Sequence, residues 1–391
     1  MKPRTPGPSI VIAGSLSQKP GHGGLTWVFL QLILGFNRLG WKVLFLDRLE
    51  PEMCVDSGGK PCSLKESLNL RYMHQVMVQY GLGAGYAVAG DGYREFVGMT
   101  RSEVLERVRE AELFVNVMGF FGDEEILAAA RRRVFYDIDP GFTQMWQDLG
   151  LSDLLKGHDG FVTVAENLGH EDCTIPTCGR EWIITRHSVV LDRWPARPPG
   201  GRNQFTDIGA WRGPYGSLEY KGRTYGLRAH EFRKFVQLPR LSGQSFEIAC
   251  DIHPAEVKDL ALLAENNWSL IDPKTVAADP AAYQAYLANS RAQFMVAKGI
   301  YVQSKSGLIS DRCACYLATG RPVLAQDTGV DGIFPIGKGL LTFSDIEQAV
   351  AGVEEINRNY AQHCRAAREV AEECFDSDKV LTKLLRDLGS K

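Results

Sequence analysis

Apolar side chains recur at intervals of three and four through Leu25, Val28, Phe29, Leu32, Ile33, Phe36 and Leu39 before Gly40. That period predicts an amphipathic helix with a glycine stop. Two short apolar runs, residues 10–15 and 41–46, flank it and predict buried strands. The same alternation continues through a helix at 101–110, a strand at 113–118, a helix at 123–132 and a strand at 134–138. Residues 161–164 and 182–185 predict two more strands, with Glu166 and Asn167 between them. From 50 to 100 glycines outnumber periods, so irregular structure is expected around one helix near 64–80.

Residues 191–203, LDRWPARPPGGRN, carry Pro, Arg and Gly with no period and predict a linker between two domains. Beyond it the alternation resumes: strand 206–209, helix 227–238, strand 246–252, a helix at 255–265 facing in through Val257, Leu260, Ala261 and Ala264, and strand 269–272. A helix over 280–298, a strand over 299–302, a helix ending at Gly320 and a strand running to Gln326 are expected next. Two helical stretches, 346–364 and 365–388, close the chain. The expected fold is α/β, two doubly wound domains facing across a cleft: 1–195, 196–365, and a terminal helix, 366–391, packing back on the first domain.

Length supports that division, since 391 residues exceed the roughly 250–300 at which a single core stops growing. A net charge of −3 and a pI near 6.3 give no case for a nucleic-acid partner. The Arg131-Arg132-Arg133 run reads as a solvated helix end. No apolar stretch is long enough to span a membrane, and the first residues lack the apolar core of a signal peptide, so a cytoplasmic location is expected. Nine cysteines, an odd number, fit reduced thiols better than a disulfide framework; none forms C-x-x-C, and structural zinc is not expected.

The candidate chemistry concentrates where helices begin. Residues 304–329, SKSGLISDRCACYLATGRPVLAQDTG, put a small polar loop, Ser304, Lys305, Ser306 and Gly307, before a helix, the arrangement that aims free N–H groups and a positive dipole end at an anion. Arg228 and Lys234 are cations that would clamp a diphosphate beside such a site. In the first half Gly21-His22-Gly23-Gly24 follows the first strand but does not match G-x-G-x-x-G, which disfavours NAD. His22 stands at the sheet edge where ligands bind and suits a general base near neutral pH. Asp137 and Asp139 end a strand in D-x-D spacing, open to three readings: a divalent metal, a turn and cap, or acid/base support.

On two stretches the chain resembles two-domain (GT-B type) nucleotide-sugar glycosyltransferases. Gly21-His22 with residues 25–46 is similar to the opening of inverting natural-product enzymes, where the His deprotonates an acceptor hydroxyl. Ala318, Gly320, Pro322 and Val323 are similar to the donor-site helix of glycogen-synthase-like families. The resemblance implies that Ser304, Lys305, Ser306, Gly307 and the amides to Ser310 hold the donor diphosphate, with Arg228 or Lys234 beside them. It implies that Gln326 and Asp327 meet sugar hydroxyls, and that His22, with Gly23 and Gly24 in its loop, is oriented by Asp137 or Asp139. Retaining relatives keep paired glutamates where this chain has Gly307 and Cys315; Arg312, reaching phosphate, and Asp311, capping or binding sugar hydroxyls, are the substitutes. No cofactor or metal is expected beyond the nucleoside diphosphate sugar, and the partners are that donor and a small-molecule or glycan acceptor. An epimerase of the same shape, a metal-dependent transferase and a non-catalytic sugar-nucleotide sensor are the alternatives.

Overall fold

The computed structural model describes residues 7–390. The first sheet contains β1 (Ser9–Ala13), β2 (Lys42–Leu49), β3 (Tyr86–Gly90), β4 (Glu95–Val97), β5 (Leu113–Val117), β6 (Arg133–Asp137), β7 (Gly160–Thr163) and β8 (Trp182–Ile184). They lie in the order β4-β3-β2-β1-β5-β6-β7-β8, parallel throughout except for the β3–β4 hairpin. The second sheet begins with β9 (Phe205–Ala210); a small separate hairpin, β10 (Leu218–Tyr220) and β11 (Arg223–Tyr225), follows. The sheet continues with β12 (Phe246–Asp251), β13 (Trp268–Ile271), β14 (Ala292–Met295), β15 (Val323–Gln326) and β16 (Leu340–Phe343). Its order is β13-β12-β9-β14-β15-β16, all parallel.

Each sheet therefore reverses direction once, between β1 and β5 and between β9 and β14, and these are the crevices where open α/β sheets bind ligands. The strands are apolar because helices cover both faces. Every residue of β3, β5, β14 and β15 is buried.

The helix Gly23–Arg38 runs along the seam between the two halves, and its sequence explains how closely it packs. A Cβ on Gly23 would sit 2.2 Å from the Asp279 carbonyl oxygen, and the Gly23 N–H donates to the Ala277 carbonyl at 2.7 Å. Trp27 Nε1 donates to the Pro280 carbonyl at 2.8 Å. One turn before the helix end, a Cβ on Gly35 would lie 2.5 Å from Leu381 of the terminal helix, Ser377–Asp387. Arg38 bonds Asp378 at 2.9 Å, so that helix does pack back on the first half.

Several expected elements differ. The strand expected at 299–302 is the short helix Gly299–Gln303, and the strand lies earlier, at β14. The expected helix 280–298 ends at Ala288, capped by Asn289. Four residues flanked by polar Asn289-Ser290 and Lys298 are too short to show a strand period, yet they fill a central, fully buried position. Residues 227–238 break into Arg228–Phe232 and a 3-10 turn, with Leu238–Ser242 continuing beyond. The two expected terminal helices are three, Ile346–Arg358, Tyr360–Cys374 and Ser377–Asp387. Within 50–100 the helix is Leu68–Gln79, and β3 and β4 are ordered strands rather than irregular chain.

Candidate functional site

At the carboxyl end of β9 two arginines meet one carboxylate. Asp207 is 2% exposed and is ion-paired to the Arg228 guanidinium, whose Nε donates to the Val296 carbonyl at 3.2 Å and Nη1 to the Ala210 carbonyl at 3.3 Å. Arg312 Nε lies 3.1 Å from the Asp207 Oδ1 as an ion pair, and that oxygen accepts a hydrogen bond from Gln293 Nε2 at 3.0 Å. Arg228 and Arg312 thus converge on Asp207 at the crevice of the second sheet, with Asp311 acting on Arg312 as a second anion. Gly209 lies between the guanidinium groups, where a Cβ would come within 3.3 Å of both.

Arg312 belongs to the helix Asp311–Ala318, whose N-cap, Ser310, accepts the Cys313 N–H at 3.2 Å. Among the described residues no internal acceptor takes the N–H groups of Ile309, Ser310, Asp311 and Arg312. Free N–H groups at a helix start, with Arg312 beside them, have the geometry that suits an anion.

The loop expected to do this work lies elsewhere. Ser304 and Ser306 are fully buried, and the N–H groups of Ser304, Lys305 and Ser306 donate to the carbonyls of Ile300, Val302 and Tyr301. The Gly307 N–H donates to the Thr328 carbonyl at 2.8 Å. Asn167 closes over the loop from the first half, its Nδ2 donating to the Lys305 carbonyl at 2.9 Å and the Gly329 carbonyl at 2.7 Å. Because a helix, not a strand, precedes residue 304, this loop is displaced from the sheet's edge into the seam. Its amides are already used, and Lys305 Nζ turns outward, 3.6 Å from Asp172.

Gln326 is likewise enclosed, accepting the Ala297 N–H at 3.1 Å and donating to Glu231 at 2.7 Å. Lys234 is held by both Glu231 oxygens at 2.8 Å, which separates it from Arg228 in role. Asp327 folds onto its own turn, accepting the N–H groups of Gly329 at 2.9 Å and Val330 at 3.2 Å.

His22 caps the seam helix with its backbone but makes no side-chain cap bond. Burial depresses its pKa, Lys19 and Lys274 add to that, and Asp251 opposes it. The aspartates expected to orient His22 are engaged elsewhere. Asp137 is fully buried and accepts from Thr163 Oγ1 at 2.9 Å and from Gln144; burial pushes its carboxyl up to about 6, against those hydrogen bonds. Asp139 crosses the seam to Lys298 Nζ at 2.6 Å and to the Tyr301 hydroxyl. The D-x-D pair thus splits into an interior carboxyl and an ion-paired one, and among the described residues no three His, Cys, Asp or Glu side chains converge as metal ligands.

A small cavity of about 20 Å³ opens between the seam helix, the end of β6 and the first turn of Asp311–Ala318. Trp27 and Leu32 form its apolar wall; Tyr136, His187, Ser188 and Asp311 supply polar groups. The Ser188 Oγ is buried without a partner. Burial lowers the His187 pKa and the Asp311 charge opposes this, so the imidazole is neutral at physiological pH. His187 and Ser188 escaped the sequence reading because nothing periodic or glycine-rich marks residues 186–190, and Tyr136 because it stood inside a predicted strand. A larger cavity, about 520 Å³, lies by Gln204, Gln244 and Asn267 at the strands' amino ends, away from these groups.

No protein-family model matches the chain, and no curated protein matches it in sequence. Solved structures do match over nearly its whole length. An alpha-glucosyltransferase (AGT) in complex with UDP aligns with a TM-score of 0.59 at 10% identity, covering 98% of this chain and 100% of that one. Anabaena Alr3699/HepE in complex with UDP-glucose aligns at 0.56 and 11%, covering 97% and 99%. AviGT4, a glycosyltransferase involved in avilamycin A biosynthesis, aligns at 0.53 and 12%, covering 97% and 96%. With two parallel sheets, each reversing once, and a terminal helix returning to the first, the chain has the two-domain GT-B fold of nucleotide-sugar glycosyltransferases.

Proposed function

We propose that the protein transfers a sugar from a nucleoside diphosphate to a hydroxyl-bearing acceptor, a small molecule, natural product or glycan. The observation that carries this reading is the crevice at β9, where Arg228 and Arg312 meet on Asp207 beside the open amides of residues 309–312. Charge builds on the departing diphosphate in the transition state, and donors already fixed at that point lower the barrier. The fold relatives solved with UDP and UDP-glucose support a uridine donor as the first to try. Residues 196–365 would form the donor side and 1–195 the acceptor side, with 366–391 bracing the first against the second. A net charge of −3 favours a neutral or cationic acceptor over a nucleic acid.

His187 is the imidazole we assign to the reacting hydroxyl. It is neutral, and its cavity adjoins the helix start that would hold the phosphates. His22, near Asp251 and Lys274 and unsupported by Asp137 or Asp139, is assigned to the cleft mouth.

A thermal-shift screen across nucleoside diphosphate sugars, followed by product analysis with the stabilising donor, tests the proposal. Transfer or slow donor hydrolysis is expected, and it should fall by about 10²–10⁴ in His187→Gln while His22→Ala retains most of it. Isomerised donor without transfer identifies an epimerase; binding without turnover identifies a sensor. Loss in His22→Ala alone returns the proton to that residue.

A further inference from the structure

Among the nine cysteines, two stand opposite each other in a hairpin of the first half. Val55 and Pro61 form an isolated antiparallel bridge. Around it the Asp56 N–H donates to the Lys60 carbonyl at 2.8 Å and the Cys62 N–H to the Cys54 carbonyl at 3.1 Å. This register makes Cys54 and Cys62 direct cross-strand partners with both side chains on one face of the ribbon. Opposed residues at such a position have Cα atoms about 5.5 Å apart, inside the range a disulfide needs. Cys62 is among the groups whose charge acts on the Cys54 thiol, after burial, which is the larger cause. Cys54 is buried and Cys62 partly exposed, so one thiol is open to an oxidant and the other is shielded behind it.

We propose that Cys54 and Cys62 form a reversible disulfide, with a small dithiol-oxidising disulfide such as glutathione disulfide as co-reactant. The Cys62 thiolate attacks one sulfur of glutathione disulfide and releases one glutathione thiolate. Cys54 then gives its proton to solvent and attacks the Cys62 sulfur, releasing the second. Two protein thiols are oxidised, one glutathione disulfide becomes two glutathiones, and the protein gains one S–S bond. Burial raises both thiol pKa values, so the exchange quickens as pH rises toward 9.

The crosslink would close the exposed turn 57–61 onto a neighbouring loop. Val55 carries the Leu68 N–H on its carbonyl at 2.7 Å, and Asn69 Nδ2 holds the Ser17 carbonyl at 2.9 Å in the loop after β1. Oxidation at this hairpin therefore stiffens a chain of contacts that ends at the mouth of the first sheet. No part of the inference depends on the transferase reading.

The test incubates the full chain with glutathione disulfide at pH 8, alkylates it, and maps the peptides. The expected product lacks two hydrogens on the peptides carrying Cys54 and Cys62, with two fewer than the nine titratable thiols, and dithiothreitol reverses it. In Cys54→Ser the reaction should stop at a stable glutathione adduct on Cys62. A wild-type chain that retains glutathione on Cys62, or that joins other cysteines, overturns the proposal. So does retention of all nine thiols while the denatured chain oxidises under the same conditions.

Discussion

Asp47 shows how one residue can report on the interior of the first half. It is fully buried, and its carboxylate accepts the Ser17 N–H at 2.6 Å and the Arg48 N–H at 2.7 Å. Burial outweighs those bonds and pushes its pKa up to about 7, and Asp137 stands at about 6 for the same reason. An acid whose folded pKa lies above its unfolded value binds its proton more tightly when folded. Stability therefore falls as pH rises from about 4 to 7, across the interval between the two values. We expect Asp47→Asn to flatten this dependence: in thermal melts, the wild-type Tm should exceed the variant's by more at pH 5 than at pH 8. Parallel curves would show that Asp47 is ionised throughout. Carboxylates such as Asp259, held low by Arg233, act in the opposite sense and lose their contribution only below about pH 4.

At the level of elements, most of the fold was legible where a period had room to show itself. Sixteen residues of the seam helix, and strands such as β1 and β5 flanked by helices, carried a clear pattern. β14 did not, because four buried residues fit a helix as well as a strand, and that slip moved the expected phosphate loop to residues 304–307. Arg228 and Arg312 were visible as cations, but their meeting at Asp207 depends on pairing β9 with β14, which no local pattern encodes. His22 was conspicuous for its glycines, of which Gly23 and Gly24 are explained by packing and Gly21 by its positive φ. Gly23→Ala should drive a Cβ into the Asp279 carbonyl and cost about 1–3 kcal/mol, read as a lower midpoint in urea. An unchanged midpoint would mean the seam at residues 277–279 yields without cost.

Over the whole molecule, the two halves meet along a seam where an apolar cluster containing Trp27, Tyr283 and Ile309 is pinned by specific bonds. Asn167 alone gives two side-chain hydrogen bonds to the other half, and Asp139 gives an ion pair with Lys298. The cavity between the halves holds about one water, so a sugar enters only if the halves part. Asn167→Ala should therefore lower stability by about 1–3 kcal/mol without weakening donor binding, because its bonds hold the halves together and lie outside the crevice at β9. A parallel loss of donor affinity would place residues 304–307 in the donor site after all.

The central claim is that the crevice at β9 binds a nucleoside diphosphate, and calorimetric titration of UDP into the wild-type chain and Arg312→Ala tests it most directly. Asp207 keeps Arg228 and Gln293 in the variant, so the fold should survive the change. The account predicts saturable binding to the wild type and a dissociation constant raised about tenfold or more in the variant, the loss of one charge-assisted contact to phosphate. No binding to the wild type, or equal constants for the two proteins, would contradict it.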